Sequence, residues 1–312
     1  MTRERPTNPP GERSAAARDP VRGLGCEIVA RRVQELRRNE PGTIEGKDLE
    51  FLHDMRVATR RIRAALRLFR DELGNDQAGR LRSELGWLGK LLGSARDLDV
   101  LSLRLPTELE RVEADPVSAA RILELVGARR LKARADLEAA LESERYRDLL
   151  DELEDLAGPP GGHTKSSLRG AREVAARRCI KAVRRVLRWR KGEDPALSAD
   201  ALHRLRIDFK QLRYTCEFFL DVFRVESRSA LRRIVAFQDC LGAHQDAVVA
   251  MQLVEQLGTS LDEDLGEDRA VLLLLGGLLQ VARQDAAQAR AQFRQMWPKL
   301  PKRLRRLRRK LV

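Results

Sequence analysis

Residues 52–69 of this chain read LHDMRVATRRIRAALRLF, and residues 202–219 read LHRLRIDFKQLRYTCEFF. The two stretches align without a gap and share basic, apolar and aromatic positions. The matched pairs are His53/His203, Arg56/Arg206, Arg60/Lys210, Arg63/Arg213 and Phe69/Phe219. The chain has only 4 histidines, so two that head the same pattern of basic residues indicate an internal duplication.

A second pair of segments follows the two copies and supports the duplication. Residues 92–100 read LGSARDLDV, and residues 241–249 read LGAHQDAVV. In the first segment the glycine would let two helices pack closely, and Arg96 and Asp97 could form an ion pair that orients the basic helix. Plain helix packing explains the segment equally well. Gln245 replaces Arg96 in the second copy, which argues against Arg96 as an essential ligand of both halves.

Apolar residues recur at helical spacing throughout the chain, and no segment alternates like a β-strand, so the sequence predicts an all-α protein. The GPPGG run at 158–162 is the strongest boundary and divides the chain into halves of similar length. These halves predict two four-helix bundles, about 21–157 and 166–297, within one pseudo-symmetric unit. The predicted helical stretches are 21–39, 47–73, 76–104, 117–156, 166–191, 198–224, 227–257 and 263–297.

The two ends of the chain differ in composition from the helical region. Residues 1–20 mix charges with prolines and are predicted to form a disordered tail. Residues 298–312, PKLPKRLRRLRRKLV, contain eight basic residues and no acid. This segment is predicted to be a basic tail that could contact nucleic acid, anionic lipid or a phosphate polymer.

On a helical wheel the repeated stretch separates into a basic side and an apolar side. Met55, Ile62 and Phe69 cluster on the apolar side, which predicts a core-facing surface. The basic stripe of the first copy contains His53, Arg56, Arg60, Arg63 and Arg67, and that of the second contains His203, Arg206, Lys210 and Arg213.

Like charges three or four residues apart on a helix repel, each close pair costing some tenths of a kcal/mol. No acidic residue relieves this repulsion on the basic side of the first copy. A solvated surface is one interpretation, but a multivalent anion would offset the repulsion. Arginine suits that anion because guanidinium grips two phosphate oxygens and stays charged at physiological pH. Successive stripe residues lie roughly 4.5–6 Å apart, which suits a linear polyanion better than one small carboxylate.

The composition agrees with a polyanionic partner. Lys and Arg number 60 against 47 Asp and Glu, which leaves a net charge of +13. Aromatic residues make up only 4%, too few for the repeated stacking platforms of single-strand binders. The 4 cysteines form no C-x-x-C pair, so no zinc site is indicated and a cytoplasmic location is predicted. The longest apolar stretch, 270–279, is too short to span a bilayer.

The two repeated histidines, His53 and His203, admit three interpretations. As metal ligands they lack a His or carboxylate partner at i+3 or i+4. As catalytic bases they lack a nucleophile, although Asp54 is adjacent. As anion ligands they would donate a hydrogen bond and add charge when protonated. The sequence favours the third interpretation and predicts no catalytic residue, no metal and no cofactor.

Further basic residues are predicted to extend the binding surface. The stretch 171–190 is strongly basic and has Glu173 as its one acid. The additional candidate ligands are Arg31, Arg32, Arg61, Arg67, Arg177, Arg178, Lys181 and Arg185.

The repeated histidine-arginine stretches and the two Leu-Gly segments resemble the CHAD family, the conserved histidine α-helical domain, from about Val21 to Trp297. The resemblance implies two four-helix bundles related by a pseudo-twofold axis, with basic helices lining a shared central groove. It also implies binding of inorganic polyphosphate and association with polyphosphate granules. The ligands it implies are His53, Arg56, Arg60, Arg63, His203, Arg206, Lys210 and Arg213.

The second copy departs from the first at three basic positions, one of which is Gln245 in place of Arg96. Gln211 stands where the first copy has Arg61, and Glu217 stands where it has Arg67, so the second half is expected to bind less tightly. Many relatives carry a triphosphate-tunnel domain, but no segment here predicts its strands, so no polyphosphatase activity is expected. The alternative function is nucleic-acid binding, as in a nucleoid-associated protein, through the same basic surfaces and the C-terminal tail.

Overall fold

The computed structural model describes residues 19–158, 165–189, 198–220, 225–261 and 269–310. These residues form helices and short connections with no strand among them, which confirms the predicted all-α class. The predicted N-terminal tail as far as residue 18, and most of the GPPGG boundary, lie outside the described residues. In chain order the helices are α1 (Pro20–Glu45), α2 (Leu49–Leu68), α3 (Arg70–Leu73), α4 (Asn75–Arg111), α5 (Pro116–Glu142), α6 (Glu144–Ala157), α7 (Lys165–Arg188), α8 (Ala199–Phe218), α9 (Val225–Leu261), α10 (Arg269–Met296) and α11 (Leu300–Lys310).

The two copies of the repeated stretch form α2 and α8, which begin and end at equivalent positions. Asp48 caps α2 and Ser198 caps α8, each accepting a hydrogen bond from a backbone N–H in the first turn. Such caps satisfy donors that the first turn of a helix leaves unpaired. α2 ends one residue before Phe69 and α8 one residue before Phe219, and both phenylalanines are buried. The register predicted from the repeat therefore holds in the structure.

Local helix breakers predict some boundaries incorrectly. Pro41 lies inside α1 and Pro106 inside α4, so both helices continue beyond the predicted ends. A proline removes one backbone hydrogen bond, but buried apolar residues on both sides of Pro106 keep α4 packed. The predicted helix 117–156 is interrupted at Ser143, whose hydroxyl caps α6.

One hydrophobic core joins the two halves of the chain. Phe69 and Phe219 meet in it edge to face, with ring centres 5.6 Å apart. Such a pair contributes about 0.5–1.5 kcal/mol beyond the burial of its area. Met55 and Ile62 are also fully buried there, which confirms the predicted apolar side of the first copy. The core thus holds α2 and α8 in contact with each other.

A second, smaller core lies where two helical hairpins meet. α4 and α5 form one hairpin, and α9 and α10 form the other. Their buried residues include Leu101 and Leu105 of α4, Val254 of α9, and Leu274 and Leu278 of α10. Both predicted bundles therefore contribute to both cores.

The basic C-terminal segment is a packed helix in the structure, so the prediction of a separate tail was wrong. Residues 300–310 form α11, which packs against α7 and α9. Leu300, Leu304 and Leu307 of this helix are buried in the main core. Leucines three or four residues apart form an apolar stripe on a helix, and the many arginines and lysines between them mask that stripe in the composition.

One helical run among the described residues, Arg269–Arg309, is long and apolar enough to cross a membrane by length and composition. The core helix of a folded protein meets the same criteria. Within this run α10 packs along α9, and Val271, Leu275 and Phe293 are buried. Burial inside the protein therefore accounts for part of its apolar composition.

Candidate anion-binding cleft

A cavity of about 390 Å³ opens between the two halves of the chain, among α2, α4, α8, α9 and α10. Basic side chains of both repeats line one end of it, hereafter the cationic end. Five of the predicted ligands meet there, namely His53, Arg56, His203, Arg206 and Lys210. The contact between α2 and α8 thus brings together basic stripes that are far apart in the sequence.

Polar atoms beside the cationic end lack a hydrogen-bond partner in the part of the chain that the structure describes. They are Nε of Arg60, Nε of Arg206 and the hydroxyl of Tyr214, and all three atoms are buried. The Arg60 guanidinium lies over the Tyr214 ring, 5.8 Å from its centre. A buried polar group without a partner costs about 1–3 kcal/mol, and more when it is charged. An anion bound at the cationic end would offset part of the cost of the buried positive charge by Coulomb attraction.

Lys210 lies among other cations at this end of the cleft. Burial lowers its pKa to about 7, and the positive charges of Arg206, Arg60 and Arg56 contribute to the shift. The carboxylate of Asp246 opposes it. The ammonium group is therefore only partly charged at neutral pH. An anion bound among these groups would restore its charge.

Two acidic residues, Asp97 of α4 and Asp246 of α9, line the same cleft. A carboxylate oxygen of Asp97 lies 3.9 Å from Nη2 of Arg56. Burial raises the pKa of Asp97, although Arg56 opposes the shift. Helical spacing misses these acids because other helices supply them, and within α2 the charges of Glu50 and Asp54 also act on His53. The carboxylates of Asp97 and Asp246 offset part of the positive charge.

Each repeated histidine lies beside a residue of the Leu-Gly segment in its own half. Nδ1 of His203 is 2.7 Å from Oε1 of Gln245. Burial lowers the pKa of His53, and the positive charge of Arg96 adds to the shift. Arg96 also lies 3.7 Å from Glu50 of α2. The ion pair suggested within the first Leu-Gly segment is thus replaced by contacts between α4 and α2.

Beyond the cleft, Arg63 and Arg67 continue the basic stripe of α2. Burial lowers the pKa of Arg67, and the nearby charges of Arg82 and Arg185 lower it further. Burial and Arg82 likewise lower the pKa of Arg63. Asp208 forms an ion pair with Arg185, and its negative charge opposes the lowering of the pKa of Arg67. Arg63, Arg67, Arg82 and Arg185 are hereafter the outer cluster.

Two further predicted ligands, Arg61 and Arg213, share one acidic partner at the contact between α2 and α8. Nη2 of Arg61 lies 3.7 Å from a carboxylate oxygen of Glu217, and Nε of Arg213 donates to the same carboxylate. Glu217 stands at the position that Arg67 takes in the first copy. It therefore neutralises part of the charge that these two arginines would offer a ligand.

The other predicted ligands lie on α1 and α7, and all of them except Arg185 are outside both the cleft and the outer cluster. Arg31 and Arg32 form ion pairs within α1. Arg178 of α7 pairs with Glu72 of α3. A separate basic face of α7 is lined by Arg177, Lys181, Arg184, Arg185 and Arg188, of which Arg185 also belongs to the outer cluster.

Sequence reasoning does not place Tyr214, Arg82, Asp97 or Asp246 among the ligands. Tyr214 has Ala64 as its counterpart in the first copy, so the repeat gives no signal for it. Arg82 lies on another helix and outside the repeated stretch. The repeat does match the two aspartates, but a negative charge by itself argues against contact with an anion.

Comparisons with known proteins agree with the resemblance. The sequence profile of the CHAD domain family matches residues 27–255. Uncharacterized proteins from two strains of Mycobacterium tuberculosis are 30% identical over 266 residues, which are 83% of this chain and 50% of each relative. The chain thus spans about half the length of the curated relatives it matches.

Two solved structures are similar to this one. The CHAD domain from the plant Ricinus communis has a TM-score of 0.64 and 31% identity, covering 88% of this chain and 91% of that chain. PptA from Streptomyces chartreusis has a TM-score of 0.64 at 22% identity, covering 88% and 98% of the two chains. At that identity the second likeness concerns the fold alone.

Proposed function

Because this chain belongs to the CHAD domain family, we propose that it binds inorganic polyphosphate in the cleft between its halves, without catalysing a reaction. The observation that carries the proposal is the convergence of Arg56, Arg206 and Lys210 from two helices at one end of the cleft. The guanidinium and ammonium groups of these three residues are hydrogen-bond donors for which phosphate oxygens are strong acceptors. Association with polyphosphate granules in the cytoplasm is part of the same proposal.

The basic stripe of α2 favours a chain of phosphates over a single phosphate. It leads from His53 at the cationic end to Arg67 in the outer cluster, about 21 Å along the helix axis at 1.5 Å per residue. One phosphate group cannot contact both places. A flexible linear polyanion that follows the stripe would gain contacts at each step.

Nucleic acid is the second candidate, and the exposed basic faces of α7 and α11 favour it. Arg177 and Lys181 are exposed on α7, and Arg305 and Arg308 are exposed on α11. Contacts of such residues with phosphates supply affinity without sequence preference. A stiff duplex, with a persistence length of about 150 base pairs, cannot thread into the cleft and would use these outer faces instead.

Bound long-chain polyphosphate is expected to resist displacement by duplex DNA. At equal phosphate concentration most of the polyphosphate should stay bound, since it alone reaches the cationic end. Fluorescence anisotropy of labelled polyphosphate at one fixed salt concentration measures this, because salt weakens both interactions. Displacement by duplex DNA or RNA at that concentration would contradict the proposal and support the second candidate.

The proposal contains no catalytic step. In the described ranges, no group of three or more His, Cys, Asp or Glu side chains is placed to hold a metal ion. We expect polyphosphate or triphosphate incubated with the protein and divalent cations to release no orthophosphate above the background rate. Protein-dependent release would overturn this part of the proposal.

Polyphosphate binding is expected to weaken as the pH rises from about 6 to about 9. The pKa of Lys210 is about 7 in the free protein, and a bound anion would raise it by favouring the charged form. Binding then takes up a proton, so affinity should fall by up to about tenfold per pH unit between the free and bound pKa values. Titrations at several pH values with long chains, which have few terminal phosphates, measure this dependence.

Lys210→Arg is the matched control for the pH dependence, because a guanidinium group stays charged over this range. Its affinity should change much less with pH than that of the natural protein. Burial lowers the pKa of His53, which moves the titration of that imidazole away from the alkaline part of the range. Equal pH profiles for the two proteins would assign the effect to a group other than Lys210.

A further inference from the structure

The cleft has an apolar half that a phosphate chain would not use. Beyond the cationic end its walls are aliphatic side chains from three helices. They include Val100 and Leu101 of α4, Leu253 and Val254 of α9, and Leu278 and Val281 of α10. Inorganic polyphosphate has no apolar surface to bury against these walls. Another class of ligand would explain them better.

An ion-pair network that includes Arg104, Glu108 and Asp285 lines the same cavity, about two to three turns along α4 from Asp97. Arg104 is 2.8 Å from Glu108 and 3.1 Å from Asp285. Arg111 contacts the same two carboxylates at 2.9 and 3.3 Å. Two arginines thus balance two acids, and this region carries no net charge. The cavity therefore has a cationic end, aliphatic walls and a neutral polar region.

We propose that the cleft also binds a small amphiphilic anion, an aliphatic chain that carries a phosphate head group. The head group would lie at the cationic end among Arg56, Arg206 and Lys210, and the chain would lie along the aliphatic walls. A volume of about 390 Å³ falls in the range of roughly 300–1,000 Å³ found for small-molecule sites. Such sites combine mostly apolar walls with a few polar groups that orient the ligand. This ligand and polyphosphate would both use the cationic end, and only the amphiphilic anion would use the aliphatic walls.

The chemistry of the walls favours an aliphatic chain over a nucleobase. Every residue described as lining the cavity is non-aromatic, apart from the imidazoles of His53 and His203 at the cationic end. Proteins that read nucleobases commonly stack them on aromatic rings or on arginine planes, but the arginines of this cavity belong to the head-group site and to the ion pairs with carboxylates. Branched aliphatic side chains offer no such face, but they bury a hydrocarbon chain well. Alkyl phosphates are therefore the probes of choice, and adenosine monophosphate is the contrasting one.

Isothermal titration calorimetry with methyl, butyl and hexyl phosphate tests the proposal. Burial of each methylene corresponds to about fourfold in affinity, so the Kd should fall about fourfold per methylene until the apolar half is filled. Polyphosphate should displace hexyl phosphate, because both need the cationic end. A Kd that is independent of chain length would overturn the proposal. So would binding of adenosine monophosphate that is tighter than binding of hexyl phosphate.

All ligands are kept below their critical micelle concentrations. Binding that occurs only above that concentration would also overturn the proposal, because it would report attraction of an anionic aggregate to the basic surfaces. Failure of the proposed function gives a different result. In that case polyphosphate would not bind, whereas the alkyl phosphates would still show the dependence on chain length.

Two substitutions on α9 separate the apolar half from the cationic end. Ala250 is half-buried in the cavity wall, so Ala250→Phe should fill the apolar half. We expect this variant to lose the dependence on chain length and to keep its polyphosphate affinity. Ala243→Phe, at an exposed position of the same helix, is the control and should keep both. Hexyl phosphate binding that is lost in both variants, or in neither, contradicts the proposed location.

A milder variant keeps the test valid if Ala250→Phe does not fold. Val249 is a partly exposed residue of the same wall, and Val249→Thr replaces one methyl group by a hydroxyl at nearly equal volume. Hexyl phosphate should bind severalfold more weakly to this variant, and methyl phosphate should bind as before. Equal weakening of both ligands would overturn the proposal.

Discussion

Replacement of Arg56 and Arg206 by alanine together should weaken polyphosphate binding by at least about 100-fold. Each guanidinium can make charge-assisted hydrogen bonds to phosphate that contribute about 1.5–3 kcal/mol. The two side chains line the same cationic end from α2 and α8, so the double variant removes ligands from both halves. Fluorescence anisotropy at one fixed salt concentration gives both affinities.

Arg305→Ala with Arg309→Ala is the matched control, since it removes the same charge from exposed positions of α11. Equal weakening by the two double variants would mean that general attraction, and not the cleft, holds the polyphosphate. Arg56→Lys with Arg206→Lys keeps the charge but loses the planar fork, so its affinity should be intermediate.

Folding stability provides a second readout for the cleft variants. Arg206 lies close enough to Arg56 for the two charges to disfavour each other. Removal of both relieves this repulsion but also leaves Asp97 without the nearby charge of Arg56, so the melting temperature should change little. A large fall in melting temperature together with weak binding would instead point to a structural role for the two arginines.

Leu304→Ala should reduce the free energy of unfolding by about 2–5 kcal/mol. Leu304 is 0% exposed in the main core, on a helix that packs against α7 and α9. Removing its buried methyl groups loses apolar contacts and leaves a cavity. Urea denaturation followed by circular dichroism measures the change. A chain that ends at Lys299 loses all three buried leucines of α11, and it should be destabilised further.

Arg305→Gln with Arg308→Gln is the control for the role of α11, because both side chains are exposed on that helix. Its stability should remain within about 0.5 kcal/mol of the natural protein for each substitution. If Leu304→Ala were as stable as the natural protein, the segment would behave as the detachable tail that its composition suggests.

Helical class and register were predictable because both depend on local spacing. The apolar side of the first copy, with Met55 and Ile62, follows from a period of 3.6 residues that any amphipathic helix must show. Because the second copy aligns with the first, the same spacing predicts the apolar side of the second helix. Prolines predicted the ends of helices less well. Whether a helix continues through a proline such as Pro106 depends on whether the residues on both sides are buried in a core.

Local spacing is enough to predict two histidine-headed basic stripes on two helices of an all-α protein. Which of those charges face one another depends on how the helices pack. Asp97, Asp246 and Glu217 approach the stripes from other helices or from the partner stripe, and Tyr214 reaches Arg60 across the contact between α2 and α8. Charge pairing and desolvation depend on distance and burial, not on sequence separation. For that reason the lowered pKa of Lys210 and the apolar half of the cleft emerge only when the two halves pack together.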